Sequence, residues 1–188
     1  SLFEGSLKLS WSKTTLFSDD PKKGLGLTSH DDLLISSLLR LFEQSNESID
    51  LVSAYFVPGD QGTRGLTAAA KKGMEVQILT NSMAATDVFL VHAMYAKYRA
   101  RLLAGGVDIY ELRNQTEDRA RGYNGFLGSS SASLHTKTFV MDSKRVFVGS
   151  FNLDPRSTFL NCEMGFLIES PDLAKAVKNS ISTSRIQN

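Results

Sequence analysis

One stretch near the C-terminal end constrains this chain more than any other: SLHTKTFVMDSKRVFVGSFN, where His135, Lys137, Asp142, Gly149, Ser150 and Asn152 stand in the spacing H-x-K-x4-D-x6-G-S-x-N. β-Branched and aromatic residues are frequent in it and no apolar stripe of helical period is present. The pattern therefore predicts a strand over Leu134 to Met141, a turn over Asp142 to Arg145 and a returning strand over Val146 to Val148. Alternate side chains of a strand share a face, so His135 and Lys137 are expected to point the same way, a nucleophilic or basic nitrogen beside a fixed cation. Asp142 has the opposite parity, and its expected task is to hold the turn. Gly149 closes the return strand, where it serves the turn or lets the backbone approach an anion closely. Ser150 offers a hydroxyl to a phosphoryl oxygen, and Asn152 adds an amide on the same side. One nucleophile and several donors delivered to one place suit chemistry at a phosphate.

This pattern resembles the HKD signature of the phospholipase D superfamily, whose members attack phosphodiesters with a histidine. Further segments are similar to bacterial cardiolipin synthases within that superfamily: Ser53 to Gly59 (SAYFVPG), Thr80 to Asp87 (TNSMAATD), Val91 to Arg99 (VHAMYAKYR), Asn152 to Ser157 (NLDPRS) and Asn161 to Gly165 (NCEMG). The resemblance covers about residues 25 to 180. It implies transfer of a phosphatidyl group through a phosphohistidine, with a phosphatidylglycerol-like phospholipid as substrate and no metal or organic cofactor. It also implies peripheral contact with a bacterial inner membrane. Carried onto this chain, it gives catalytic roles to His135 and Lys137, with Asp142 completing the motif, and phosphate binding to Ser150, Asn152 and Gly149. It assigns orientation of the imidazole to Glu163, which otherwise reads as a charged strand residue.

Enzymes of that superfamily use two such motifs, one histidine attacking phosphorus while the other protonates the leaving group. This chain has one. Either two copies meet across a two-fold axis, or the chain is the C-terminal half of a longer protein. The second is expected, because the resemblance is to second halves and the chain begins with Ser1 rather than methionine. Two other classes stand beside it: a homodimeric phosphodiesterase or nuclease, and a non-catalytic interaction module. A net charge of +1 supplies no general polyanion-binding surface and speaks against nucleic acid as partner.

With 188 residues, 41% of them hydrophobic, the chain can bury one sizeable core. Residues 1–26 read as a polar lead or linker, and residues 27–188 as a single domain. No apolar run has the length of a membrane span, and the single Cys162 excludes an internal disulfide. Ser29 with Asp32 resembles a capping box opening a helix to about Ser45, striped by Leu34, Leu38, Leu41 and Phe42. A buried strand over Ile49 to Phe56, a helix ending at Gly73, a strand over Met74 to Leu79, a helix over Asp87 to Ala104 and a strand over Val107 to Leu112 follow. The alternation predicts an α/β fold with a mixed, largely parallel sheet and helices on both faces.

Crevices in such sheets open at the carboxyl ends of parallel strands, which puts Tyr55, Phe56, Asn81, Ser82 and Asp87 beside a pocket. Strand-end packing and helix capping are the plain alternatives. His92 is a further pocket candidate, but it shares a helical face with Val88 and Tyr95 and reads first as a packed histidine. Arg113 to Ser133, with a Ser-rich end, reads as a long loop leading into the motif strand; ordinary disorder outweighs a gating role for it.

Overall fold

The computed structural model describes residues 10–83, 85, 86, 88–112 and 134–186. Asp87 and the expected Arg113 to Ser133 loop lie outside them. The described strands are β1 (Lys13–Ser18), β2 (Ser48–Ser53), β3 (Glu75–Asn81), β4 (Asp108–Leu112), β5 (Lys137–Met141), β6 (Arg145–Gly149) and β7 (Met164–Glu169). The helices are α1 (Leu34–Glu43), α2 (Gly59–Lys71), α3 (Phe89–Ala104), α4 (Pro155–Phe159) and α5 (Pro171–Ile186). All seven strands join one sheet in the order β1-β7-β6-β5-β2-β3-β4.

The sheet is mixed and flanked by helices, as the alternation of elements predicts, but parallel pairing is confined to one side of it. β2 pairs with β3 and β3 with β4 in parallel, whereas β2–β5, β5–β6, β6–β7 and β7–β1 are antiparallel. Helical crossovers enforce parallel neighbours, and the direction of β5 beside β2 is not encoded in the alternation. β2 is buried along its whole length, as a central strand with helices on both faces must be. Ile49 and Leu51 face Leu34, Leu38, Leu66, Tyr95 and Leu102 of α1 to α3; Val52 faces Ala174, Val177 and Ile181 of α5 together with Leu79, Val140 and Val146.

The lead segment needs a correction. Residues 13–18 are not linker but the edge strand β1, paired antiparallel to β7 from Lys13↔Glu169 to Ser18↔Met164. The chain then makes a 3-10 turn at Pro21–Leu25 and sends two side chains, Asp19 and Lys23, into the interior. The capping box is also revised. Ser29 opens only a short 3-10 turn, His30–Asp32, its hydroxyl donating to Asp32 at 2.8 Å. α1 starts later, at Leu34, whose N–H donates to the Asp19 carboxylate at 2.8 Å. A carboxylate fifteen residues away thus satisfies an orphan donor that a local cap would have taken.

The β5–β6 hairpin is tighter than expected. Asp142, Ser143 and Lys144 form its tip between the paired Met141 and Arg145; Asp142 and Ser143 have left-handed backbone (φ of 53° and 51°), and Lys144 N donates to Met141 O at 3.0 Å. Positive φ at both central residues of the Met141-to-Lys144 turn matches the twist of the flanking strands, and non-glycine residues adopt it at a cost. The Asp142 carboxylate offsets that cost by accepting from the backbone N–H groups of Asn46, Glu47 and Ser48 at 3.0, 2.8 and 3.2 Å. Burial by itself raises the Asp142 carboxyl, but these three N–H groups and the nearby Arg145 outweigh it and hold the group below the ordinary carboxylate value.

At the other end of the hairpin the ladder narrows. Phe139 and Phe147 stack across β5 and β6 at 5.5 Å, and Phe147 lies against Gly165. Gly149 pairs with Gly165, and a Cβ on Gly149 would collide with the Met164 carbonyl oxygen. Gly149 is therefore demanded by the β6–β7 approach.

Two outcomes follow from this packing. Since the folded Asp142 group is depressed, its stabilisation is complete above the ordinary carboxylate pKa and lost as pH falls through the lowered folded value. Asp142→Asn should cost roughly 2 kcal/mol at pH 7, and urea titrations should show the gap to the parent protein closing below about pH 4. Gly149→Ala should lower stability by about 1–3 kcal/mol, read as a reduced urea midpoint at unchanged slope.

Candidate active site

One end of the sheet collects the motif residues. The carboxyl ends of β2, β3 and β6 meet there with the chain entering β5 and β7. His135 stands just before β5 rather than within it, and its side chain is exposed. Lys137 opens β5 opposite Ser53 and is buried, its Nζ turned back to donate to the His135 carbonyl oxygen at 2.7 Å. The Lys137 ammonium thus meets the main chain of His135, which stands on irregular backbone ahead of the strand. Among the described residues nothing hydrogen-bonds to the His135 ring.

Glu163, just ahead of β7, is buried. Its carboxylate accepts from the Ser150 hydroxyl, from Ser157 Oγ at 2.9 Å and from Asn161 Nδ2 at 3.2 Å. The bond to His135 that the resemblance implies is not made within this chain. Ser150 is likewise engaged internally: its hydroxyl proton is directed to Glu163, and its oxygen accepts from Met164 N at 3.1 Å. The expected Ser150 donor to a phosphoryl oxygen is thereby occupied. Asn152 is buried beside them, its Oδ1 accepting from Tyr55 N at 3.4 Å. No described residue accepts from its Nδ2. Neither the His135 imidazole nor the Asn152 amide nitrogen has a hydrogen-bond partner among the described residues.

The pocket candidates divide. Tyr55 is tied in through its backbone, to Asn152 and to Ser53 Oγ at 2.8 Å. Asn81 ends β3 and bonds Leu134, the residue before His135, through both oxygen and nitrogen of its carboxamide. Ser82 is a turn residue, its Oγ accepting from Ala85 N at 3.2 Å. His92 packs edge-on against Tyr95 at 5.4 Å with Nδ1 buried and unbonded, and Tyr95 in turn meets Phe56. It belongs to that aromatic group. Asp142 lies at the opposite end of β5, seven residues or about 20 Å along the chain from His135, and holds the hairpin tip.

Four residues that motif reasoning passed over hold the site together. Asp19 accepts from Glu163 N at 2.9 Å and from Lys23 Nζ at 2.6 Å, and Lys23 also donates to Ser157 O at 2.7 Å. The Ser157 hydroxyl links Asn152 N to Glu163. Asp154 caps α4 by accepting from Ser157 N at 2.8 Å; burial pushes its carboxyl up, with the neighbouring Glu163 charge adding to the rise. Asp154-Pro155 is a helix-start signal legible in sequence. No spacing rule ties Asp19 and Lys23 to a motif more than a hundred residues away.

Known proteins match this arrangement. A family described as "Cardiolipin synthase, PLD-like domain" matches residues 38–184. Cardiolipin synthase C of Escherichia coli K12 is 49% identical over 177 residues, a match covering 94% of this chain and 37% of the relative. The chain therefore spans little more than a third of that relative's length. Among solved structures, the fold overlays on Nuc, a phospholipase D family member from Salmonella typhimurium, with a TM-score of 0.65, covering 93% of this chain and 95% of that one at 18% identity. Phosphatidylserine synthase from Haemophilus influenzae overlays with the same score and identity, over 92% of this chain and 38% of that one. With the histidine and lysine at one sheet edge and the family match over most of the sequence, the chain belongs to the phospholipase D-like domain family of cardiolipin synthases.

Proposed function

We propose that the chain is one catalytic half of a cardiolipin synthase-type phosphatidyltransferase that works through a phosphohistidine. The observation that carries the reading is the exposed His135 ring, without a hydrogen-bond partner among the described residues, at an edge backed by Lys137 and Asn152 in a chain 49% identical to a cardiolipin synthase. One histidine nitrogen forms a bond to phosphorus as the P–O bond to the departing alcohol breaks, and the second histidine gives its proton to the leaving alkoxide. A hydroxyl of a phosphatidylglycerol-like lipid then attacks phosphorus, the P–N bond breaks, and the hydroxyl proton returns to the second histidine. Lys137 and the Asn152 amide offset charge on the non-bridging oxygens.

The second histidine, and an acceptor that fixes the His135 ring, come from another motif-bearing half. That half lies in the same polypeptide, as expected for a chain spanning 37% of its relative. No helix among the described residues is long and apolar enough to cross a membrane. Peripheral contact with a bacterial membrane, or contact through other segments, brings the lipid to the site.

Full-length protein carrying His135→Ala, assayed for cardiolipin formation in phosphatidylglycerol vesicles, should lose at least about 1,000-fold in rate. Unchanged product would remove His135 from the reaction. A second reading draws on the overlay covering 95% of Nuc: a two-fold dimer of this chain that cleaves DNA or a chromogenic diester unaided. Such turnover by the isolated chain would favour a homodimeric phosphodiesterase.

A further inference from the structure

We propose that Asn81 is a positioning residue for His135, holding the peptide on the histidine's N-terminal side so that the imidazole leaves the sheet edge in one direction. The inference deepens the phosphatidyl-transfer reading and rests on it. The β2–β5 ladder begins only at Ser53↔Lys137, so Leu134, His135 and Thr136 have no strand neighbour to fix them. Asn81, the last residue of β3, reaches past the end of β2 and supplies the missing bonds. Its Oδ1 accepts from Leu134 N at 2.8 Å; its Nδ2 donates to Leu134 O at 3.0 Å and to Ala54 O at 3.2 Å.

This is the two-way bonding a paired strand would provide, made by a side chain that is 3% exposed. The orientation of the carboxamide is unambiguous. Reversed, it would set its oxygen against two carbonyls and its NH2 against an N–H. The Leu134 side chain is anchored in the core beneath α5. On the other side Lys137 grips the His135 carbonyl. Peptide units before and after the histidine are both held, which leaves the ring only its own side-chain torsions. A nucleophile must meet phosphorus in line, and a displacement of about 1 Å at such a group costs on the order of 100-fold in rate.

Asn81→Asp distinguishes positioning from packing because it keeps the shape and the acceptor but turns an oxygen toward the carbonyls of Leu134 and Ala54. In full-length protein assayed with phosphatidylglycerol vesicles, kcat should fall about 10- to 100-fold with KM within about twofold. Asp50→Asn, which weakens the buried contact of β2 with Lys178 on α5 far from His135, serves as the stability control. It should keep kcat at a comparable loss of Tm. If Asn81→Asp fails to fold, Asn81→Ser carries the same comparison. Activity that tracks Tm alike in both variants would overturn the inference, as would a raised KM at unchanged kcat, which marks a substrate-pocket residue.

A measurement free of lipid chemistry separates this inference from the functional reading. The His135 ring resonance, assigned by its loss in His135→Ala, should shift and broaden in Asn81→Asp and stay in place in Asp50→Asn. An unaltered resonance in Asn81→Asp would overturn the positioning role even if cardiolipin is formed. A shifted one sustains it even if no cardiolipin is formed by the parent protein.

Discussion

The buried ion pair of Asp19 and Lys23 is the contact through which the rest of the site hangs together. Both side chains are almost completely shielded from water, at 0% and 2% exposure. Charges so placed cost several kcal/mol each in lost hydration, roughly, unless every oxygen and proton finds a partner. Here they do. One Asp19 oxygen takes the N–H of Leu34 at the start of α1, and the other takes Lys23 and the Glu163 N–H. The Asp19 N–H in turn donates to the Glu163 carbonyl oxygen at 2.8 Å, and Lys23 reaches the Ser157 carbonyl oxygen. A single carboxylate therefore joins the end of β1, the first turn of α1 and the entry to β7. The segment that carries it is an integral wall of the site.

Much of this was legible in the residues, and what was not has identifiable causes. The helices and the β5–β6 hairpin announce themselves through period and turn chemistry, and the motif marks the edge where His135 and Lys137 meet. β1 stays hidden because KTTLFS has only two apolar side chains and lies exposed at the rim, so neither alternation nor bulk signals a strand. The start of α1 was misplaced for a related reason. A Ser-x-x-Asp pattern is a local cap, and local patterns cannot reveal that a remote Asp19 satisfies the helix instead. The strand over Ile49 to Phe56 ends early, at Ser53, because the chain bends to let the Ser53 hydroxyl bond Tyr55 O and Leu153 N. Direction of pairing beyond the helical crossovers is a property of the whole sheet, absent from any one segment.

The same distinction between local and assembled order explains the candidate site. Residue types and spacing identify which groups gather, but not which of them are already engaged by one another. Ser150, read as a free hydroxyl, is bonded to Glu163; Glu163, read as the partner of the histidine, is shared among Ser150, Ser157 and Asn161. Gly149, read as serving the turn or an anion approach, makes room for the β6–β7 pairing. The engagement of Ser150 and Glu163 follows from hydrogen-bond satisfaction in a buried setting, where an unmatched carboxylate or hydroxyl is costly.

What survives this internal pairing defines the chemistry. A web of bonded groups surrounds the His135 imidazole and Asn152 Nδ2, which have no partner among the described residues, and the Lys137 ammonium holds the His135 carbonyl. Fixed dipoles around a site stabilise developing charge without having to reorient during the reaction, so internal saturation is an advantage rather than an obstacle. The exception is the histidine ring itself. A neutral imidazole attacks best when an acceptor holds its other nitrogen and stabilises the cation that forms. Nothing among the described residues does so, since the nearest candidate by motif, Glu163, is fully shared. On the phosphatidyl-transfer reading, that acceptor and the complementary acid belong to the second motif-bearing half that the proposed function requires.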